Sequence, residues 1–117
     1  MRVLLVEDDE DVLDIFKMML EGFEVIEATN GEKAVEVYKK AEPDVVIMDI
    51  LLPEKSGIEA TKEILSYDPK AKIIAITAFP RKNKELMLEA GAVDVIEKPF
   101  RKKELIERIY KYAGKCD

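Results

Sequence analysis

The sequence predicts an α/β domain, a doubly wound five-stranded parallel sheet with helices on both faces. Two observations carry this expectation. Five short apolar runs recur along the 117 residues, and most lack the alternation of a half-exposed strand. Each run is followed by an amphipathic segment of helical period, and the connections are only a few residues long. A βα unit repeated five times with short connections requires parallel strands, right-handed crossovers and helices covering both sides of the sheet.

The first strand is Arg2 to Val6 (RVLLV), followed directly by Glu7-Asp8-Asp9. A helix comes next, with Val12, Ile15, Phe16, Met19 and Leu20 on its core face, Asp9 as its cap and Gly22 as its left-handed stop. Glu24 to Ala28 (EVIEA) alternates around Val25 and Ile26, as a strand near a sheet edge does. Thr29-Asn30-Gly31-Glu32 has capping-box spacing and opens a second helix carrying Ala34, Val35, Tyr38 and Ala41, which Pro43 ends. The third strand begins at Asp44, and its apolar run Val45 to Met48 stops abruptly at Asp49. Pro53 and Gly57 shape the loop that follows. Ser56-Gly57-Ile58-Glu59 is a second capping box, opening a third helix with Ile58, Thr61, Ile64 and Leu65 inward. After the turn at Asp68-Pro69, Lys72 to Ile76 (KIIAI) forms the fourth strand, running into Thr77-Ala78-Phe79-Pro80. A short helix spans Asn83 to Ala90 and stops at Gly91. Val93 to Ile96 is the fifth strand, followed by Glu97-Lys98-Pro99-Phe100. The last helix runs from about Lys102 to Ala113, places Leu105, Ile106, Ile109 and Tyr110 inward, and ends at Gly114.

Composition narrows the function. At 48% apolar the chain buries a real core, and residues 1–117 are read as one domain with no internal linker or repeat. Charged residues reach 38%, mostly Glu and Lys, while Gln, Trp and His are absent, a bias that fits a heat-adapted source. The net charge of −6 argues against general nucleic-acid binding, and the Arg101-Lys102-Lys103 run is read as a solvated first turn. Cys116 has no partner for an internal disulfide, which fits a reducing cytoplasm. No apolar run of about 20 residues argues for membrane insertion.

The chemistry gathers at the carboxyl ends of the strands. Ligands of open α/β sheets bind there, in the crevice where neighbouring strands send their connections to opposite faces. In a strand order 2-1-3-4-5 that crevice lies between strands 1 and 3, so it receives Glu7, Asp8 and Asp49, with Thr77 and Lys98 from strands 4 and 5. Three carboxylates in one place repel, and one is driven toward protonation unless a cation joins them. Oxygen-only ligands select a hard ion, and few protein ligands with retained waters suit Mg²⁺. An aspartate beside Mg²⁺, an ammonium and a hydroxyl is a phosphoryl acceptor: Asp49 is the nucleophile, Lys98 neutralises charge and Thr77 donates to a phosphoryl oxygen.

With Glu7-Asp8, Met48-Asp49, Leu52-Pro53, Gly57, Thr77-Ala78 and Lys98-Pro99-Phe100 at or just past strand ends, the whole chain resembles a response-regulator receiver domain of two-component signalling. The resemblance implies a flavodoxin-like (βα)₅ fold and phosphorylation of Asp49 by a partner sensor histidine kinase. It implies that Asp8, Asp49 and the Leu51 backbone carbonyl ligate Mg²⁺ directly, with Glu7 acting through water. It also implies a cis peptide between Lys98 and Pro99, which X-Pro bonds permit at modest cost.

The chain departs from that family in two ways that bear on its timing. Where many receivers have Tyr or Phe three residues before the motif lysine, this chain has Val95. Phe79, two residues after Thr77, is then expected to carry the local rearrangement or gate water. Leu51 and Phe79 are both apolar and cannot activate water, so a long-lived acyl phosphate is expected. Such a protein promotes only its own phosphorylation and slow dephosphorylation. Its output is a separate effector protein, through the surface of helix 4, strand 5 and helix 5, or a histidine phosphotransferase in a phosphorelay. A non-phosphorylated docking module and the receiver fragment of a longer transcription factor are the alternatives, the second disfavoured by an end so soon after a helix stop. A Mg²⁺-dependent phosphohydrolase with an Asp nucleophile needs a general acid Asp at the position of Leu51, and a flavin carrier needs a phosphate loop where Glu7-Asp8-Asp9 stands.

Overall fold

The fold, described from a computed structural model, covers residues 1–50, 52 and 55–113. Ten elements alternate along it: β1 (Arg2–Val6), α1 (Glu10–Met19), β2 (Glu24–Ala28), α2 (Gly31–Ala41), β3 (Val45–Asp49), α3 (Gly57–Tyr67), β4 (Ile73–Thr77), α4 (Pro80–Ala90), β5 (Asp94–Glu97) and α5 (Lys102–Ala113). All pairings are parallel, in the order β2-β1-β3-β4-β5. This is the flavodoxin-like architecture expected.

The strands lack alternation because both faces are buried. Leu4, Val6, Val46, Met48, Ile73 and Ala75 meet Ala34, Val35 and Tyr38 of α2, Ala60 and Ile64 of α3, and Met87 of α4. The intervening Val3, Leu5, Val45, Ile47, Ile74 and Ile76 meet Leu13, Phe16 and Leu20 from α1 and Leu105 and Ile109 from α5. Edge strand β2 is only partly buried and keeps an alternating sequence.

Local signals set most boundaries. Asp9 caps α1, its side chain accepting from the N–H groups of Asp11 and Val12. Ser56 and Glu59 form the expected reciprocal capping box on α3. Gly22 and Gly91 both take positive φ after helices, at 100° and 113°. The Lys98–Pro99 peptide is cis.

Several expectations need correction. On α1 the buried face is Leu13, Phe16 and Leu20, while Ile15 is 52% exposed. The core stripe is centred on the residues spaced three and seven from Leu13, and Ile15 falls on its flank. Tyr110 is also 52% exposed, its ring tilted at 45° against that of Phe23 at 5.8 Å instead of entering the core. The cap of α2 is Asn30, accepting from Lys33 N–H at 2.7 Å, not Thr29, so the helix starts one residue later than a Thr29–Glu32 box requires. Helix α4 begins three residues earlier than expected, with proline at its first position, where a missing N–H costs nothing. Strands β4 and β5 each lie one residue later than the apolar runs indicated. The positions expected to matter at Leu51, Pro53, Gly114 and Cys116 lie outside the described residues.

Candidate functional site

Strand register assembles the site. Val6 pairs with Met48 across β1 and β3, so Glu7 and Asp49, each one step further, come side by side at the strand ends. Asp49 pairs with Ile76 on β4, and Thr77 pairs with Glu97 on β5, immediately before Lys98. The chain leaves β1 for α1 on one face and β3 for α3 on the other. The crevice between them is the switch point of the sheet.

Ligand-capable oxygens of Glu7, Asp8 and Asp49 lie within 4.8 Å of one another. The three differ in exposure. The Glu7 side chain is only 3% exposed, that of Asp49 14%, and Asp8 opens to solvent. Lys98 approaches from β5, its Nζ 3.8 Å from Asp49 Oδ2 and 3.9 Å from Glu7 Oε1. The Asp9 N–H donates to Glu7 Oε2 at 3.1 Å, but Glu7 Oε1 is buried without a hydrogen bond. Burial pushes the Glu7 carboxyl up to about 7, and the nearby Asp49 charge adds to that, against the pull of the Asp9 N–H and Lys98.

This donor set fits a hard divalent cation. All three side chains offer oxygens, the buried Glu7 Oε1 lacks a hydrogen bond, and a dication would offset both the burial and the Asp49 charge that raise the Glu7 carboxyl. Few protein oxygens with one side open to solvent is the pattern Mg²⁺ prefers, since it keeps several of its waters.

The remaining expected residues fall in two groups. Thr77 ends β4, is 2% exposed, and its Oγ1 accepts the Phe79 N–H at 2.9 Å. It thereby serves the start of α4, where Phe79 supplies no side-chain cap. Phe79 itself is 66% exposed. Val95 is not in the crevice; it packs in the core shared by α2, α3 and α4. Leu51 lies outside the described residues. The link from Thr77 Oγ1 to the α4 backbone was not foreseen, although a Thr two residues before an uncapped helix start is the signal that could have revealed it.

Among the described residues no helix is long and apolar enough to cross a membrane. Comparison with known proteins adds relatives to this geometry. The sequence model of the response regulator receiver domain matches residues 3–110. The chemotaxis protein CheY of Thermotoga maritima is 44% identical over 116 residues, covering 96% of this chain and 97% of that protein. The polar-differentiation response regulator DivK of Brucella anthropi is 38% identical over 117 residues, covering 96% and 95%. Among solved structures, the receiver domain of the sensor histidine kinase PA1611 from Pseudomonas aeruginosa superposes with a TM-score of 0.92. It is 32% identical, with 97% of this chain and 98% of that one covered, and it carries a magnesium ion coordinated in its active-site cleft.

Proposed function

This chain belongs to the response regulator receiver domain family, and on that premise we propose that it is a cytoplasmic signalling switch set by phosphorylation of Asp49. The observation that carries the reading is the acidic trio of Glu7, Asp8 and Asp49 facing the Lys98 ammonium at 3.8 Å from Asp49.

The reaction uses few parts. An Asp49 carboxylate oxygen attacks the phosphorus of a phosphohistidine on a partner sensor kinase, the chain having no histidine of its own. The oxygen–phosphorus bond forms, the bond from phosphorus to the imidazole nitrogen breaks, and the ring nitrogen keeps the electron pair. Lys98 balances charge on the transferring group, and the Thr77 hydroxyl donates to a phosphoryl oxygen while it still accepts from Phe79 N–H. Asp8, Asp49 and the Leu51 carbonyl would hold Mg²⁺, with Glu7 one water away. When bound, that ion neutralises phosphoryl charge and orients the group for in-line transfer.

Members of this family are signalling proteins rather than classical enzymes. The acyl phosphate here is long-lived, because Leu51 and Phe79 offer no group to activate water. The output goes to a separate effector through the surface of α4, β5 and α5, or the phosphoryl group passes to a histidine phosphotransferase.

The test is intact mass after incubation with a small phosphoryl donor. Wild type gains one phosphoryl group in Mg²⁺ and none in EDTA, and Asp49→Asn gains none. An unmodified wild-type protein with donor and Mg²⁺ present would overturn the proposal and favour a docking module that works without phosphorylation.

A further inference from the structure

Gly31 opens α2 and is buried against the loop that joins β3 to α3. Its φ is not in the left-handed region, so the backbone there does not require glycine, and alanine is the better helix former. Space is what excludes a side chain. A Cβ at position 31 would overlap the Lys55 carbonyl oxygen, and would lie 2.7 Å from the Lys55 carbonyl carbon and 2.9 Å from its Cβ. These are backbone and near-backbone atoms, which cannot swing aside as a side-chain tip does. Lys55 is also tied to Glu63 of α3 by an ion pair.

Two residues further on, the same loop is tight again. A Cβ at Gly57 would overlap the Asp49 carbonyl oxygen and lie 2.8 Å from the Ile50 Cα, and the Gly57 N–H donates to the Ile50 carbonyl at 2.9 Å. Gly57, two residues from Lys55, thus ties that end of the loop to the backbone of Asp49 and Ile50.

We propose that Gly31, which touches neither metal nor phosphoryl group, is a positioning residue for the Asp49 site. Its missing Cβ lets the first turn of α2 set where the β3–α3 loop rests. This rests on the Asp49 reading above. Alanine at position 31 keeps the fold and displaces the loop, and displaced support around metal ligands typically weakens metal binding by about tenfold or more.

The experiment compares the wild-type chain, Gly31→Ala, Glu36→Ala as an exposed control on the same helix, and Gly31→Ala with Lys55→Gly. Mg²⁺ affinity is measured by calorimetry, and unfolding is followed separately in EDTA. Gly31→Ala is expected still to unfold cooperatively in EDTA, at a midpoint lowered by the overpacking, while its Mg²⁺ affinity falls about tenfold or more. Glu36→Ala matches wild type in both readouts. Adding Lys55→Gly, which loosens the loop and removes one clashing atom, restores part of the affinity. Wild-type affinity in Gly31→Ala, no recovery in the double variant, or a protein unfolded in EDTA would each overturn the inference. Absence of Mg²⁺ binding by the wild type would instead sink the reading of the site itself.

Discussion

Replacing Glu7 by glutamine tests the electrostatics of the crevice without its metal. In the folded chain the Glu7 carboxyl is pushed from 4.5 to about 7, chiefly by burial. Between those values the native state holds a proton that the unfolded chain has released. Stability of the metal-free protein therefore falls as pH rises from 4.5 to about 7, and levels off above. A shift of this size corresponds to about 3 kcal/mol. On a domain of this length that is roughly 10 °C in Tm. Glutamine keeps an oxygen for the Asp9 N–H and cannot ionise, so it escapes the penalty. Denaturant unfolding in EDTA should give nearly equal stabilities for wild type and Glu7→Gln near pH 4, with the variant ahead by about 3 kcal/mol near pH 8. Excess Mg²⁺ near pH 8 should close most of that gap by stabilising the wild type. Parallel pH profiles, or a gap that opens on acidification, would refute the reasoning.

Other changes reach further from the crevice. Tyr38 OH donates to Asp68 Oδ2 at 2.7 Å, and this bond is the main reason the Asp68 carboxyl lies below its usual range. Tyr38→Phe should destabilise the protein at neutral pH. Because the depressed group contributes only while ionised, the difference should vanish in acid denaturation profiles as pH falls through the Asp68 titration. Leu5→Ala, at a fully buried β1 position, should lower unfolding stability by about 2–5 kcal/mol. Polar substitution at Leu51 or Phe79 should shorten the acyl-phosphate lifetime by about tenfold or more, read as loss of phosphoprotein after donor removal. Unchanged lifetimes at both positions would remove the argument that the acyl phosphate lasts because these side chains cannot activate water.

The sheet was legible because its signals are redundant. Val45 to Met48 and Ile73 to Ile76 are apolar on both faces, and parallel strands leave no other arrangement for them. The gathering of Glu7, Asp8 and Asp49 was legible too, since all three stand close to the end of an apolar run. What escaped was finer. Ile15 sits beside the α1 stripe at similar spacing, yet it is exposed while Leu13 joins the buried cluster that includes Leu105 and Ile109. Thr29 and Asn30 are both competent caps, and one residue of register separates them. The approach of Gly31 to Lys55 joins positions distant in sequence, where periodicity carries no information.

The central claim is that Asp49 accepts the phosphoryl group, and chemical localisation tests it most directly. After reaction with a small donor and Mg²⁺, peptide mapping should place a single phosphoryl group on the fragment containing Asp49. That modification should be lost on hydroxylamine treatment, as an acyl phosphate is. A phosphoryl group on Ser56, Thr61 or Thr77, or one that survives hydroxylamine, would contradict the account.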